Sequence, residues 1–401
     1  GSRTSRWARE RRRGAGLAAP ASPALMARPT VARIDLHALA SNYRAVVEAV
    51  TAESSVNGVS GPDVIAVVKA NAYGHGAVQV ATALESAGAT MLACADIEEG
   101  TALRAAGVRA EILVFGALSV SDLDGIFDGR LTPTISTPGA ATAVQAAAAR
   151  HRQRLPYHLK IDTGMNRLGF RFDNLARTLP ELLASPNLEL AAVYTHFATA
   201  DAPAVPLFDE QRRRFDRACG DLETMGVSAR RRHAANSAAL LRDTRVWYDS
   251  VRPGLLLYGI VPPPLASTLP LTPVMSLSSR VVAVKGLRTG ESTGYGARFV
   301  AERPTTLAIV PAGYADGLDM RLSGRGAVLI RGHRVPIVGS VCMDMIMVDA
   351  TGLSVSPGDE VVLIGSQGDD RIDAREMAAA IGTIPWEIVC RLGSRIERRY
   401  D

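Results

Sequence analysis

The sequence predicts an α/β protein in two parts, an N-terminal (β/α)8 TIM-like barrel followed by a C-terminal, mostly β domain. Three observations predict it. From about residue 30 to 265, short apolar, β-branched runs alternate with longer Ala-rich helical stretches. Eight such units over roughly 230 residues match the length and rhythm of a barrel. After Pro273 the texture changes to strand-like runs bounded by Gly, Pro and Asp turns, with a proline-rich segment, Pro262-Pro263-Pro264 through Pro270, marking the passage.

In chain order, residues 1–27 read as a disordered Arg/Ala-rich leader. Its Gly1 and Ser2 resemble an expression scar, and Met26 is an alternative native start. Pro20 and Pro23 interrupt its only apolar stretch, which fits a signal peptide poorly. The barrel is expected over 28–270, with strands at 64–68, 91–94, 112–115, 132–135, 157–161, 190–194, 231–235 and 253–257. Helix-like segments lie between them, among them 76–87, 139–150 and 209–225. The second domain is expected over 271–401. Its strands fall at 275–284, 306–311, 327–330, 334–341, 346–349 and 359–364, and a late helix at 373–381.

Composition narrows the function classes. Of 401 residues, 47% are hydrophobic and 21% charged, which excludes a mainly disordered chain. No run of about 18 apolar residues predicts a transmembrane helix. The net charge of +5 is carried entirely by the leader, whose six arginines face one acid, Glu10. A basic tail is not a basic face, so the folded part is not expected to bind nucleic acid. Cys94, Cys219, Cys342 and Cys390 are scattered, with no C-x-x-C pair or histidine cluster. They read as reduced thiols of a cytoplasmic protein without a metal site.

Only three lysines, Lys69, Lys160 and Lys285, occur among 45 basic residues. Arginine replaces lysine wherever charge alone matters, but not where an amine must lose its proton. Lys69 ends an apolar strand in Ala66-Val67-Val68-Lys69-Ala70-Asn71-Ala72-Tyr73-Gly74-His75-Gly76. Catalytic groups of barrels sit at such strand ends. Partial desolvation there lowers a lysine's pKa and suits it to Schiff-base chemistry. The bland alternative is a lysine snorkelling to solvent. Loops after strands seven and eight commonly hold phosphate in barrels, and His233-Ala234-Ala235-Asn236-Ser237 and Ser250-Val251-Arg252-Pro253-Gly254-Leu255 occupy those places. Taken alone, Asn236-Ser237 would be a plain helix cap.

The lysine segment resembles the cofactor-lysine motif of the alanine racemases, pyridoxal-phosphate enzymes built as a barrel plus a β domain. The resemblance continues over most of 28–401. It implies Lys69 as cofactor lysine and one catalytic base. Tyr73, Asn236, Ser237, Gly254 and Leu255 would serve at the phosphate end, and His196 would stack on the pyridine ring. Lys160-Ile161-Asp162-Thr163-Gly164-Met165-Asn166-Arg167 resembles the next signature. It implies Arg167 near the substrate carboxylate and Lys160 as a carbamylation site; the alternative for Lys160 is an ordinary ion pair with Asp162 or another acid. Arg252 would face the ring nitrogen. Arginine only donates hydrogen bonds, so that nitrogen must accept. The ring is then a weaker electron sink, which disfavours transamination and leaves proton removal and return at one carbon. Thr293-Gly294-Tyr295-Gly296 resembles the segment carrying the second base, which reaches across a homodimer interface. Tyr314 and the Met343 backbone amide would line the substrate side. Three departures stand out: Trp386 where a phosphate-binding tyrosine is usual, Met320 where an entry arginine is usual, and Asn166 where glycine is common.

The activity this implies is interconversion of L- and D-alanine by two bases, supplying D-alanine for peptidoglycan. One alternative is a serine or broad-specificity racemase of the same fold. Broad relatives are typically exported and disulfide-linked, against which the scattered cysteines argue. Decarboxylases of the fold pair the ring nitrogen with an acid, where Arg252 stands here. Another alternative is a non-catalytic pyridoxal-phosphate carrier, but such barrels lack the β domain that carries Tyr295.

Overall fold

The computed structural model describes residues 28–56, 60–118 and 122–401. The leader expected over 1–27 lies outside them. The first ten strands are β1 (Val31–Ile34), β2 (Asp63–Val67), β3 (Met91–Cys94), β4 (Glu111–Val114), β5 (Thr132–Ile135), β6 (Leu155–Asp162), β7 (Phe170–Arg171), β8 (Leu188–Tyr194), β9 (Arg231–Asn236) and β10 (Ser250–Arg252). Eight of them, β2 to β6 and β8 to β10, pair in parallel, and β10 returns to β2, so the sheet closes. β7 is a two-residue addition beside β6. The long helices Ala77–Ser86, Pro138–His151 and Leu207–Thr224 fall where the Ala-rich stretches predict them. Short parallel strands of this kind are covered by helices, which is why they read as continuous apolar runs.

Two expectations need correction. The eighth strand is Ser250–Arg252, and the stretch expected as strand, 253–257, enters a 3-10 turn at Leu255–Tyr258. Leu255 to Tyr258 are all buried, so an apolar run here packs as a turn and not as a strand. Second, β1 does not belong to the barrel, although the barrel was expected from residue 28. Its Val31 pairs antiparallel with Ser278 and parallel with Glu397. Both ends of the described chain therefore meet in the second domain.

That domain is built on a ten-stranded sheet with the strands Thr305–Val310, Ala327–Ile330, His333–Val338, Ile346–Asp349 and Glu360–Gln367 at its centre. The run expected over 275–284 is two strands, Met275–Arg280 and Ala283–Leu287, broken at Val281-Val282. One buried apolar cluster runs from Ile34 and Ala66 in the N-terminal half to Val361 and Ile388, so a shared core ties the two domains.

Candidate active site

The segment after β2 has an unusual backbone. Ala70, Asn71, Ala72 and Tyr73 have φ of 54°, 53°, 55° and 52°, one turn of left-handed helix made without glycine. Ala70, Ala72 and Tyr73 each cost about 1–2 kcal/mol there, whereas asparagine is tolerant. The turn is held by Ala72 N–H to Val68 O (2.8 Å), Gly74 N–H to Ala70 O (3.0 Å) and Gly76 N–H to Asn71 O (2.9 Å). The Glu99 carboxylate accepts from the amides of Asn71 (3.3 Å) and Ala95 (2.8 Å), tying the turn to the loop after β3. The His75 ring sits over Tyr258 with centroids 4.5 Å apart, and the Tyr258 hydroxyl donates to Val67 O. At Gly74 a Cβ would lie 2.2 Å from Val389 O, so a helix of the second domain presses directly on the turn. Strain persists only where its surroundings over-determine it, and such places cluster at functional sites.

Lys69 opens this turn and faces a cavity of about 680 Å³ at the C-terminal end of the barrel. Tyr73, Lys160, Arg167, His196, Asn236, Ser237, Arg252, Gly254, Leu255 and Trp386 also line it. Burial, with the Arg167 guanidinium next in importance, lowers the Lys69 pKa. A second cavity, of about 560 Å³, lies at the domain junction, but no lysine lines it.

The floor is a buried cationic network. Arg252 is 3% exposed and forms no ion pair among the described residues. It donates to Thr195 O and Ala234 O (both 2.9 Å), to His233 Nδ1 (2.8 Å) and to His196 Nδ1 (3.3 Å). Burial pulls its pKa down to about 10, which leaves it charged at neutral pH. Burial, with Arg252 beside them, holds His196 and His233 well below the usual imidazole range, so both are neutral. The Tyr194 ring stacks on His233 (4.7 Å, 12°) and lies 5.7 Å from Lys160 Nζ and 5.2 Å from the Arg252 guanidinium carbon. Lys160 is 6% exposed and makes no ion pair among the described residues, contrary to the alternative of a pair with Asp162. Asp162 instead accepts from the amides of Gly164 and Asn166, shaping the loop that carries Arg167. Burial, with Arg167 and Arg252 close by, brings the Lys160 pKa to about 8.

Three anchors set the remaining walls. Gln211, on the helix Leu207–Thr224, holds the loop after β8 by accepting from Ala198 N–H and donating to His196 O and Thr163 Oγ1. Asn236 caps the helix Ser237–Arg242, its Oδ1 accepting from Ala239 N–H at 2.9 Å. Ser237 Oγ accepts from the amides of Gly254 (3.0 Å) and Leu256 (3.4 Å), which joins the loops after β9 and β10. A Cβ at Gly254 would lie 2.5 Å from the Tyr73 hydroxyl.

Tyr295, Tyr314 and Met343 do not line this cavity. They stand on the second domain, 78%, 41% and 55% exposed, with Met320 and Met345 also exposed. Tyr314 N–H donates to Cys342 O and Ala315 N–H to Met343 O, so the loops of Tyr314 and Met343 are bound to each other. Tyr295 O accepts from Ser340 Oγ. One chain therefore holds two separate groups of predicted site residues.

Family models described as "Alanine racemase, N-terminal domain" and "Alanine racemase, C-terminal domain" match residues 34–262 and 274–400. The chain belongs to the alanine racemase family. A curated alanine racemase from Carboxydothermus hydrogenoformans is 41% identical over 379 residues, covering 93% of this chain and all of the relative. The solved alanine racemase of D-cycloserine-producing Streptomyces lavendulae superposes with a TM-score of 0.86 at 35% identity, covering 93% of this chain and 97% of that one. The structure of the Bartonella henselae alanine racemase, solved with covalently bound pyridoxal phosphate, matches with a TM-score of 0.80 at 30% identity, covering 93% and 99%.

Against the alanine racemase pattern, Asn166 is accommodated without difficulty. It sits at φ 54°, where asparagine is among the most tolerant residues after glycine. Trp386, on the short helix Pro385–Cys390, reaches the cavity wall together with Cys390. Tyr194, Glu99, Gln211 and Cys390 were not singled out from sequence. Each is an ordinary residue in its own segment, and only strand neighbours or loop packing bring it to the site.

Proposed function

We infer that this chain interconverts L- and D-alanine with pyridoxal phosphate as cofactor. The observation that carries the reading is the pairing of a desolvated strand-end lysine, Lys69, with a buried guanidinium, Arg252, in one cavity. The residues fit the cofactor. Ser237 Oγ accepts two amides while its own hydrogen has no acceptor among the described residues, leaving a donor for a phosphate oxygen. Gly254 leaves room beside the Tyr73 hydroxyl that any Cβ would fill. Arg252, a buried cation with no carboxylate partner among the described residues, has donors to offer an unprotonated ring nitrogen. Leu255, Asn236 and Trp386 would complete the phosphate end, and His196 would support the ring.

When bound, the cofactor would supply the electron sink that makes the substrate's α-proton acidic. This chain's residues do the rest. Lys69, its pKa lowered by burial, would remove or return the α-proton on one face, the role suited to D-alanine. Tyr295 would act on the other face, for L-alanine. Because Tyr295 stands apart from the Lys69 cavity within one chain, we propose that a second copy supplies it, so that a homodimer holds two shared sites. The exposed Tyr314 and Met343 would come with it, the Met343 amide toward the substrate carboxylate. Arg167 would hold that carboxylate as well. A carbamate on Lys160 would give the Arg167 guanidinium an anionic partner, and an unpaired lysine with a pKa near 8 supplies the free amine that carbamylation needs. Supply of D-alanine for peptidoglycan in the cytoplasm belongs to the same reading.

The test is proton NMR of L-alanine incubated with the protein and pyridoxal phosphate in D2O, followed by chiral analysis. Loss of the α-proton signal with accumulating D-alanine is expected. Absence of exchange with any small amino acid, despite bound cofactor, would point to the carrier reading. Exchange faster with serine would favour the broader racemase.

A further inference from the structure

The polar network of the barrel does not stop at Arg252. His233 Nε2 lies 3.0 Å from Nδ1 of His158, a residue of β6 that is 2% exposed and does not line the cofactor cavity. The rings are 5.0 Å apart. Proton positions along this chain follow from one fact: arginine only donates. An Arg252 Nη1–H points at Nδ1 of His233 at 2.8 Å, so that Nδ1 carries no proton. A neutral His233 must then hold its proton on Nε2. The acceptor within reach is His158 Nδ1, and His158 in turn keeps its proton on Nε2. Both rings stay neutral because burial, together with the cations Arg252 and Arg231, disfavours charge on them.

We propose that His158 is a positioning residue. It is the acceptor that holds His233 in its Nε2–H tautomer and thereby fixes the Arg252 guanidinium toward the cofactor. The inference rests on the reading that Arg252 faces the ring nitrogen. Without an acceptor at 158, the His233 Nε2–H would be buried and unpaired. Moving the proton to Nδ1 would relieve that, but would set an N–H against the Arg252 donors. The second outcome is the expected one, because an unpaired buried N–H costs about 1–3 kcal/mol, and with it Arg252 loses the His233 acceptor that fixes the guanidinium. The two strands also make the link specific, since His158 and His233 sit on β6 and β9, separated by β8, and meet inside the barrel.

The test uses the cofactor-loaded protein with 15N-labelled histidine, and the variants His158→Asn and His158→Leu. Asparagine keeps an oxygen acceptor near the Nδ1 position, and leucine removes it. Two-bond 15N–1H spectra read the tautomer of each of the seven histidines. The wild type is expected to show His233 as Nε2–H. His158→Leu is expected to shift that tautomer, move the visible absorbance of the cofactor and lower kcat about 10- to 100-fold, with KM within threefold. His158→Asn is expected to restore the tautomer and bring kcat within threefold of wild type. An unaltered His233 tautomer in His158→Leu would overturn the hydrogen-bonded chain itself. A shifted tautomer with an unaltered cofactor spectrum would overturn the proposal by removing Arg252 from the ring nitrogen. Should the leucine variant not fold, the wild type still decides, since His233 found as Nδ1–H would refute the argument.

Discussion

Replacing Glu99 with alanine should loosen the left-handed turn that presents Lys69. Ala70, Ala72 and Tyr73 in the left-handed region store about 3–6 kcal/mol of strain, Asn71 being tolerant there. Hydrogen bonds to a charged acceptor contribute about 1.5–3 kcal/mol each. Glu99 provides two, but only the bond from the half-buried Ala95 amide is short, at 2.8 Å. The Asn71 bond is 3.3 Å and on the exposed side, where water can replace it. The Ala95 bond fixes the carboxylate where it meets the Asn71 amide, so the two act together and the expected loss to the turn is about 2 kcal/mol, near the contribution of one good bond. If the turn opens locally, amide exchange over residues 70–77 should speed by roughly 30-fold, the factor equivalent to that energy. Hydrogen–deuterium exchange with peptide mass spectrometry reads this directly. Glu99→Gln keeps an acceptor and should fall between wild type and alanine. Cofactor affinity should weaken in the same order, because the lysine must be ordered before it can hold the cofactor. Exchange over 70–77 within twofold of wild type in Glu99→Ala would refute the reasoning, since the turn would then be held by its other bonds alone.

The other predictions concern single groups. Lys69→Ala should abolish the visible absorbance of bound cofactor; a band of wild-type strength would remove Lys69 from the mechanism. Tyr295→Phe should retain cofactor but slow L-alanine turnover by about 10²-fold or more, checked by steady-state kinetics in both directions. Gly254→Ala forces a methyl against the Tyr73 hydroxyl. Overpacking of that kind costs about 1–3 kcal/mol, so titration should show cofactor affinity down about tenfold or more with the fold intact. Lys160 titrates near 8 when folded against 10.5 as a free side chain. The unfolded chain therefore binds the extra proton between those values, and stability should rise with pH across that window, by about 3 kcal/mol at most. Thermal melts in CO2-free buffer should show this slope, and Lys160→Met should flatten it.

The barrel strands were legible because parallel strands buried on both faces are apolar throughout. The eighth strand was misplaced because 253–257 is as apolar as any strand, although it packs as a turn. Within the site, Lys69 and Lys160 stood out by scarcity, and Arg252 through the family resemblance. Glu99, Tyr194 and Gln211 carried no such mark. Their roles are relations to distant residues, such as Gln211 to Thr163 across 48 positions.

By itself the sequence determined the alternation of strand and helix, the change to a β domain and the identity of the residues able to do the chemistry. These follow from local periodicity and from the side chains' own functional groups. Tertiary structure alone decided that β1 pairs in the second sheet, that Ala70 to Tyr73 wind left-handed, and that two neutral histidines, His196 and His233, flank Arg252 with no carboxylate partner among the described residues. It also decided that Tyr295 stands apart from Lys69 in the same chain. Each of these depends on which strands become neighbours when the barrel closes and the second sheet docks. Backbone strain, tautomers and shifted pKa values are set by those neighbours, and periodicity along the chain does not encode them.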